Sequence, residues 1–233
     1  MMRHILVTGA SSGIGRAIAR KLLAQGHKIY GVSRDRQKFT TEHSGFIGLT
    51  LDLANLDILP DKVKQWLTDY PEIDAVVFSA GYGQFGSLEQ FSFQQIRALM
   101  DVNFTAQALL ARCFIPTLRK KSRADLIFIG SEAALQGSRK GAIYCASKFA
   151  IRGFSQALRE ECASSGIKVS LINPGMVKTE FFDALSFEPG AEPENFIEPG
   201  DVAKAVDYVL ASQPGIVIDE INLNPLNKVV KFK

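Results

Sequence analysis

The chain has little that would hold a disulfide framework or a metal. Its three cysteines, Cys113, Cys145 and Cys162, are odd in number, form no Cys-x-x-Cys pair and lie in segments that read as helical. They are expected to be reduced, structural thiols, with no metal site. Charge of one sign is scarce too: 27 basic residues against 24 acidic leave a net charge of +3, dispersed along the chain. So even a balance gives no electrostatic footprint for nucleic acid or an anionic membrane. Long apolar runs are lacking as well. Ile5, Leu6 and Val7 make a run too short for the core of a signal peptide, ended by Gly9, and nothing elsewhere reads as a membrane span. These absences leave small molecules as the expected partners, with no nucleic acid and no membrane, and the cytoplasm as the default location. No repeat, low-complexity tract or Pro/Ser-rich linker divides the chain, so residues 1–233 are expected to form one domain.

What is present is a strict alternation. Short apolar runs rich in β-branched residues recur at 5–7, 28–32, 46–49, 75–78, 126–129, 168–172 and 216–218, and each reads as a buried strand. Between them, Ile14 to Gln25, Ile58 to Thr68, Phe93 to Arg119, Tyr144 to Ser164 and Pro199 to Ala211 carry apolar residues at three- and four-residue spacing, the mark of helices. Parallel strands need crossover connections, and the crossovers coat both faces of the sheet. The pattern therefore predicts an α/β fold: a doubly wound, Rossmann-like, mostly parallel sheet of seven strands with helices on both faces. The segment Phe181 to Pro199 is irregular, with Phe181, Phe182, Leu185, Phe187 and Phe196 set among Pro189, Gly190 and Pro193. It reads as a lid over a pocket; the alternative is a loose connection between the sixth strand and the last helix.

Directly after the first strand comes Thr-Gly-Ala-Ser-Ser-Gly-Ile-Gly, with glycines at 9, 13 and 15, and then a helix. Glycine lets the backbone turn sharply and approach a diphosphate, while the helix N-terminus offers unpaired N–H groups to the anion. That is the context of a dinucleotide site, although three residues rather than one separate the first two glycines. Further on, Tyr-Cys-Ala-Ser-Lys at 144–148 puts a phenol and an ammonium on one helix face. Ser131 ends the fifth strand and Asn103 lies in the long helix before it. Each of the four also has a plainer reading: Ser131 capping a turn, Asn103 bonding backbone, Tyr144 a half-buried aromatic, Lys148 a solvated charge. Their joint register with the glycine turn speaks against coincidence.

Along essentially its whole length the chain resembles the short-chain dehydrogenase/reductase family in its compact form. The matching motifs are TGASSGIG at 8–15, Asp52 and Leu53, Ser79-Ala80-Gly81, Asn103, Ser131, YCASK at 144–148 and NPGMVKT at 173–179, in family order. The resemblance implies an NADP(H) oxidoreductase acting on a small alcohol or carbonyl. It implies cofactor contacts from Gly9, Ser11, Ser12, Gly13, Ile14, Gly15, Asp52, Leu53, Ser79, Ala80, Gly81, Pro174, Gly175, Val177 and Thr179, besides Tyr144 and Lys148. By the same resemblance Tyr144 is the general acid/base, Lys148 also bonds the nicotinamide ribose, Ser131 holds the substrate oxygen and Asn103 carries a water-linked proton relay. A free phenol titrates near ~10; an ammonium about 4 Å away at an effective dielectric of ~20 contributes roughly 4 kcal/mol, enough to lower it by about three pH units.

Cofactor choice rests on the end of the second strand. Ser33 stands where a carboxylate would bond the ribose hydroxyls of NAD and repel a 2′-phosphate, and Arg34 offers a planar fork of donors to that phosphate. The alternative makes Asp35 the ribose carboxylate and Arg34 a loop charge. Two departures from the family pattern stand out: Phe78 and Ser79 replace a pair of asparagines, and Ser165 stands where carrier-protein reductases often have a basic residue. A carrier-protein-linked ketoacyl reductase and a non-catalytic NADP(H) sensor remain as alternatives. The run at 221–226 and its sequel resemble tails of the subgroup acting on short hydroxy acids and related small substrates. Apolar residues on the outer faces of the two long helices point to a homodimer or homotetramer.

Overall fold

The computed structural model of the chain describes residues 2–39, 41 and 43–233. In chain order the first half runs β1 (His4–Thr8), α1 (Gly13–Ala24), β2 (Lys28–Ser33), β3 (Phe46–Thr50), α2 (Leu59–Asp69), β4 (Ala75–Phe78), α3 (Phe93–Met100) and α4 (Ala106–Leu118). The second half runs β5 (Ala124–Ile129), α5 (Ala142–Cys162), β6 (Ile167–Pro174), β7 (Phe187–Pro189), α6 (Pro199–Ala211), β8 (Glu220–Leu223) and β9 (Val230–Phe232). Seven strands form one parallel sheet in the order β3-β2-β1-β4-β5-β6-β8. The strands are apolar throughout because helices cover both faces. On one face Trp66 of α2, Phe114 of α4 and Leu158 of α5 join Phe78 and Phe128 in a core. On the other, Ile18 and Leu22 of α1 meet Val206 and Val209 of α6. The strand order reverses between β1 and β4, and the loops leaving their C-terminal ends open the crevice where such sheets take ligands.

Four expectations are revised. The last strand of the sheet is Glu220–Leu223, not 216–218. Asn173 fixes that register by donating from Nδ2 to Glu220 Oε1 at 2.9 Å and to Asn222 Oδ1 at 3.0 Å, while Ile216 stays half exposed. The helix predicted from Phe93 to Arg119 widens into a π turn at Asp101–Thr105 between α3 and α4. With that turn it runs unbroken over 26 residues, Phe93–Leu118, and is long and apolar enough to cross a membrane, contrary to the reading that nothing in the chain approaches a span. Here Leu99, Leu110, Phe114 and Leu118 are buried inside the fold, which explains the helix's apolar character. Finally, the Phe181–Pro199 segment is more regular than its sequence suggested. Its β7 pairs antiparallel with β9, Phe187 opposite Phe232, so the C-terminus straps it down.

Candidate active site

The turn between β1 and α1 is built for close approach. Gly9 and Gly13 have φ of +70° and +46°, a region that disfavours side chains. A Cβ on Gly9 would lie 2.9 Å from the Ala80 Cα, and one on Gly15 would lie 2.3 Å from the Gly9 carbonyl oxygen. Thr8 ties the turn to the end of β4, its Oγ1 accepting from the backbone N–H of Ser79 at 3.0 Å and of Ala80 at 3.1 Å. At the N-terminus of α1 the Ser12 side chain makes no capping bond. Instead Gly13 N–H donates to Glu180 Oε2 at 3.2 Å, and Arg16 pairs with the other carboxylate oxygen. A bond from its own backbone amide and the Arg16 charge hold the Glu180 carboxyl below the usual carboxylate range, against the opposing effect of burial. This carboxylate stands in for an anion at the helix N-terminus, beside a cavity of about 480 Å³ lined by Gly13, Arg16, Arg20, Lys178 and Thr179. Glycines with no room for a Cβ, an open helix end and a basic cleft fit the diphosphate of a dinucleotide.

The remaining predicted contacts sit at or just beyond the C-terminal ends of the strands. Ser33 ends β2 and is buried, with Arg34 exposed beyond it. Asp35 accepts from the Gln37 N–H at 2.9 Å, a local turn bond. Asp52 likewise accepts from the Ala54 N–H at 3.0 Å, and the Leu53 side chain is part of the core. After β4, the buried Ser79 Oγ has no protein partner, and a Cβ on Gly81 would meet Asn103 Oδ1 at 3.1 Å. Pro174 ends β6; Gly175 N–H donates to the Leu223 carbonyl at 2.7 Å; Val177 bridges to Ile197; Thr179 lies against Gly13.

Tyr144 and Lys148 lie one turn apart on α5 and are 8% and 6% exposed. Burial pushes the Tyr144 phenol up to about 12, with the Ser131 hydroxyl as hydrogen-bonding neighbour pulling the other way. Burial also pulls Lys148 down to about 8. Lys148 Nζ donates to the Ile129 carbonyl at 3.2 Å and lies 5.8 Å from the Tyr144 ring centre; against the lowering expected from the sequence, burial is the leading influence on the phenol. Ser131 does cap a turn, accepting from the Ala133 N–H at 3.2 Å. Asn103 sits in the π turn with its side chain fully engaged. Its Nδ2 donates to the Tyr82 carbonyl at 3.0 Å and to Ser147 Oγ at 3.2 Å, and its Oδ1 accepts from the Tyr82 N–H at 3.0 Å. It thus clamps the loop after β4 against α5.

A family model described as short chain dehydrogenase matches residues 3–189. The chain belongs to the short-chain dehydrogenase family. An oxidoreductase of Staphylococcus epidermidis without an assigned substrate is 30% identical over 226 residues, which span 95% of this chain and 96% of that one. A 3-ketodihydrosphingosine reductase of Bacteroides thetaiotaomicron is 35% identical over 180 residues, 77% of this chain and 65% of that one. Among solved structures, a metagenomic short-chain oxidoreductase in complex with NADP superposes with a TM-score of 0.82 at 29% identity, covering 97% of this chain and 98% of that one.

Several residues of this dehydrogenase's site escape sequence reasoning. Glu180 reaches Gly13 across 167 positions, a pairing that no local pattern shows. Gln107, fully buried, donates to the carbonyls of Ala80 at 3.0 Å and Asn103 at 2.9 Å, bracing the π turn. Phe85 approaches Tyr144 with ring centres 5.1 Å apart, and an aromatic in a glycine-rich loop gives no periodic signal. Gln107, four residues and so one helical turn after Asn103, is the one hint the sequence does hold.

Proposed function

We propose that this short-chain dehydrogenase is an NADP(H)-dependent oxidoreductase that moves a hydride between nicotinamide and the carbon of a small alcohol or carbonyl compound, with Tyr144 as acid/base. The observation that carries the reading is the convergence of Ser131, Tyr144 and Lys148 beside a glycine turn whose helix end already holds a carboxylate. NADP(H) supplies the hydride when bound; Gly9, Gly13 and Gly15 admit its diphosphate, and Arg34, past the uncharged Ser33, meets the 2′-phosphate. Asp35 is spent on its own turn, which supports this assignment over the one that makes it the ribose carboxylate.

The electrostatics favour proton donation. Burial keeps the Tyr144 phenol protonated far above neutral pH, so it enters the reaction carrying the proton that an alkoxide formed from a carbonyl needs. Ser131 shares that proton's hydrogen-bonding neighbourhood and orients the substrate oxygen. Lys148, lowered to about 8, is charged at neutral pH and is positioned to stabilise a phenolate as the proton leaves. The name of the Bacteroides relative, a keto-group reductase, supports the reductive direction.

The same reading makes the protein a cytoplasmic homo-oligomer. Cys113, Cys145 and Cys162 are free thiols, and Phe93 at 88% exposed and Phe149 at 43% exposed mark the outer faces of α3 and α5 for association. The test is a panel of alcohols with NADP and of carbonyls with NADPH, followed at the nicotinamide absorbance. Turnover of carbonyls that is lost in Tyr144→Phe supports the reading, and NADPH binding without turnover of any member of the panel contradicts it.

A further inference from the structure

Aromatic rings from separate segments close over Tyr144. Phe85, in the loop after β4, lies 5.1 Å from the Tyr144 ring centre and Phe181, after β6, lies 5.9 Å from it. Phe187 of β7 packs edge-on against Phe85 at 5.0 Å. None of these three rings belongs to the two cores that hold the sheet, so fold stability does not explain their convergence. Glycine makes room for them: a Cβ on Gly83 would lie 2.3 Å from Phe181 Cζ and 2.9 Å from Phe85 Cε2. The pairing of β7 with β9 holds Phe187 in place.

Several of the charges around this cluster already have partners. Lys148 is bonded to the Ile129 carbonyl, Lys228 to Glu132 at 2.7 Å, and Lys233 to Glu188 and the Phe182 carbonyl. A carboxylate on the substrate would lose its water against these aromatic rings, an unfavourable exchange.

We propose that the dehydrogenase selects uncharged, ring-bearing ketones or aldehydes, seated by Phe85, Phe181 and Phe187, and discriminates against oxo and hydroxy acids. The inference rests on the reading of Tyr144 as proton donor, and it opposes the hydroxy-acid subgroup suggested by the C-terminal tail.

The experiment measures kcat/KM with NADPH for acetophenone, butanone and acetoacetate, in the unaltered protein and in Phe187→Ala and Phe187→Leu. Apolar pockets discriminate by about 10- to 200-fold, so acetophenone should exceed the other two by at least about ten-fold. Phe187→Ala should lower the acetophenone value about ten-fold, chiefly through KM, and change butanone less than about two-fold, with Phe187→Leu falling between. A preference for acetoacetate overturns the inference, as does an equal loss for both ketones in the two variants. If acetoacetate turnover is then abolished by Tyr144→Phe, the substrate class is wrong and the role of Tyr144 stands. If no carbonyl turns over although NADPH binds, both are wrong.

Discussion

Replacing Lys148 with methionine should stabilise the fold while removing turnover. The ammonium is 6% exposed, and among the described residues no carboxylate pairs with it; its hydrogen bond goes to the Ile129 carbonyl. Burial lowers its pKa from 10.5 to about 8, which corresponds to about 3 kcal/mol of strain at neutral pH. Methionine has similar length and no charge, and losing the bond to Ile129 returns about 1 kcal/mol of that gain. The net expectation is about 2 kcal/mol in favour of the variant. The pH dependence has a definite sign. Between about 8 and 10.5 the unfolded lysine keeps a proton that the folded one has released, so the unfolded state binds more protons and stability rises with pH. Below about 8 the full penalty is present. Urea unfolding at fixed protein concentration, at pH 7 and pH 9.5, reads this through Trp66, the single tryptophan, which is buried against the sheet. At a typical slope of about 2 kcal/mol per molar, the midpoint of Lys148→Met should lie about 1 M above that of the unaltered protein at pH 7, and this gap should narrow at pH 9.5. A lower midpoint for the variant at pH 7, or a gap that widens with pH, would refute the argument.

Arg34→Ala should cut kcat/KM for NADPH by about ten- to a hundred-fold, the worth of a charge-assisted contact, and leave NADH unchanged; equal losses with both cofactors would place the 2′-phosphate elsewhere. Glu180→Gln removes a carboxylate from the Gly13 amide and should tighten NADPH binding about five-fold, since that side chain is 52% exposed and one charge about 4 Å from another in water is worth about 1 kcal/mol. Weaker binding in a fluorescence titration would show that Glu180 supports the site rather than competes for it. Light scattering at micromolar concentration should give a multiple of 25.5 kDa, and the monomer mass would contradict association through α3 and α5.

The fold was legible wherever a local rule acted alone. Continuous apolar runs and period-3.6 patterns located the strands and helices because packing on both faces of the sheet imposes them directly. The last strand was misread because Ile216 and Ile218 are apolar, whereas the pairing is decided by polar ties from Asn173 to Glu220 and Asn222. The π turn was invisible because Asp101–Thr105 keeps helical composition, and only the contacts of Asn103 with Tyr82 and of Gln107 with the Asn103 carbonyl require it. At the site, Tyr144, Lys148, Ser131 and the glycines were readable as spaced motifs. Their electrostatics were not: sequence spacing suggested an ammonium lowering the phenol, whereas burial pushes the phenol up and the ammonium down. Glu180 and Phe85 reach the site from distant segments, and such partners become apparent only when the sheet brings strand ends together.

The most direct test of the central claim is Tyr144→Phe. The variant keeps the ring that packs against Phe85 and Phe181 and removes only the hydroxyl. Stopped-flow reduction of a carbonyl substrate, with NADPH affinity measured in parallel, should show turnover lowered by at least about 100-fold and cofactor binding within about two-fold of the unaltered protein. Near-normal turnover in this variant would contradict the account.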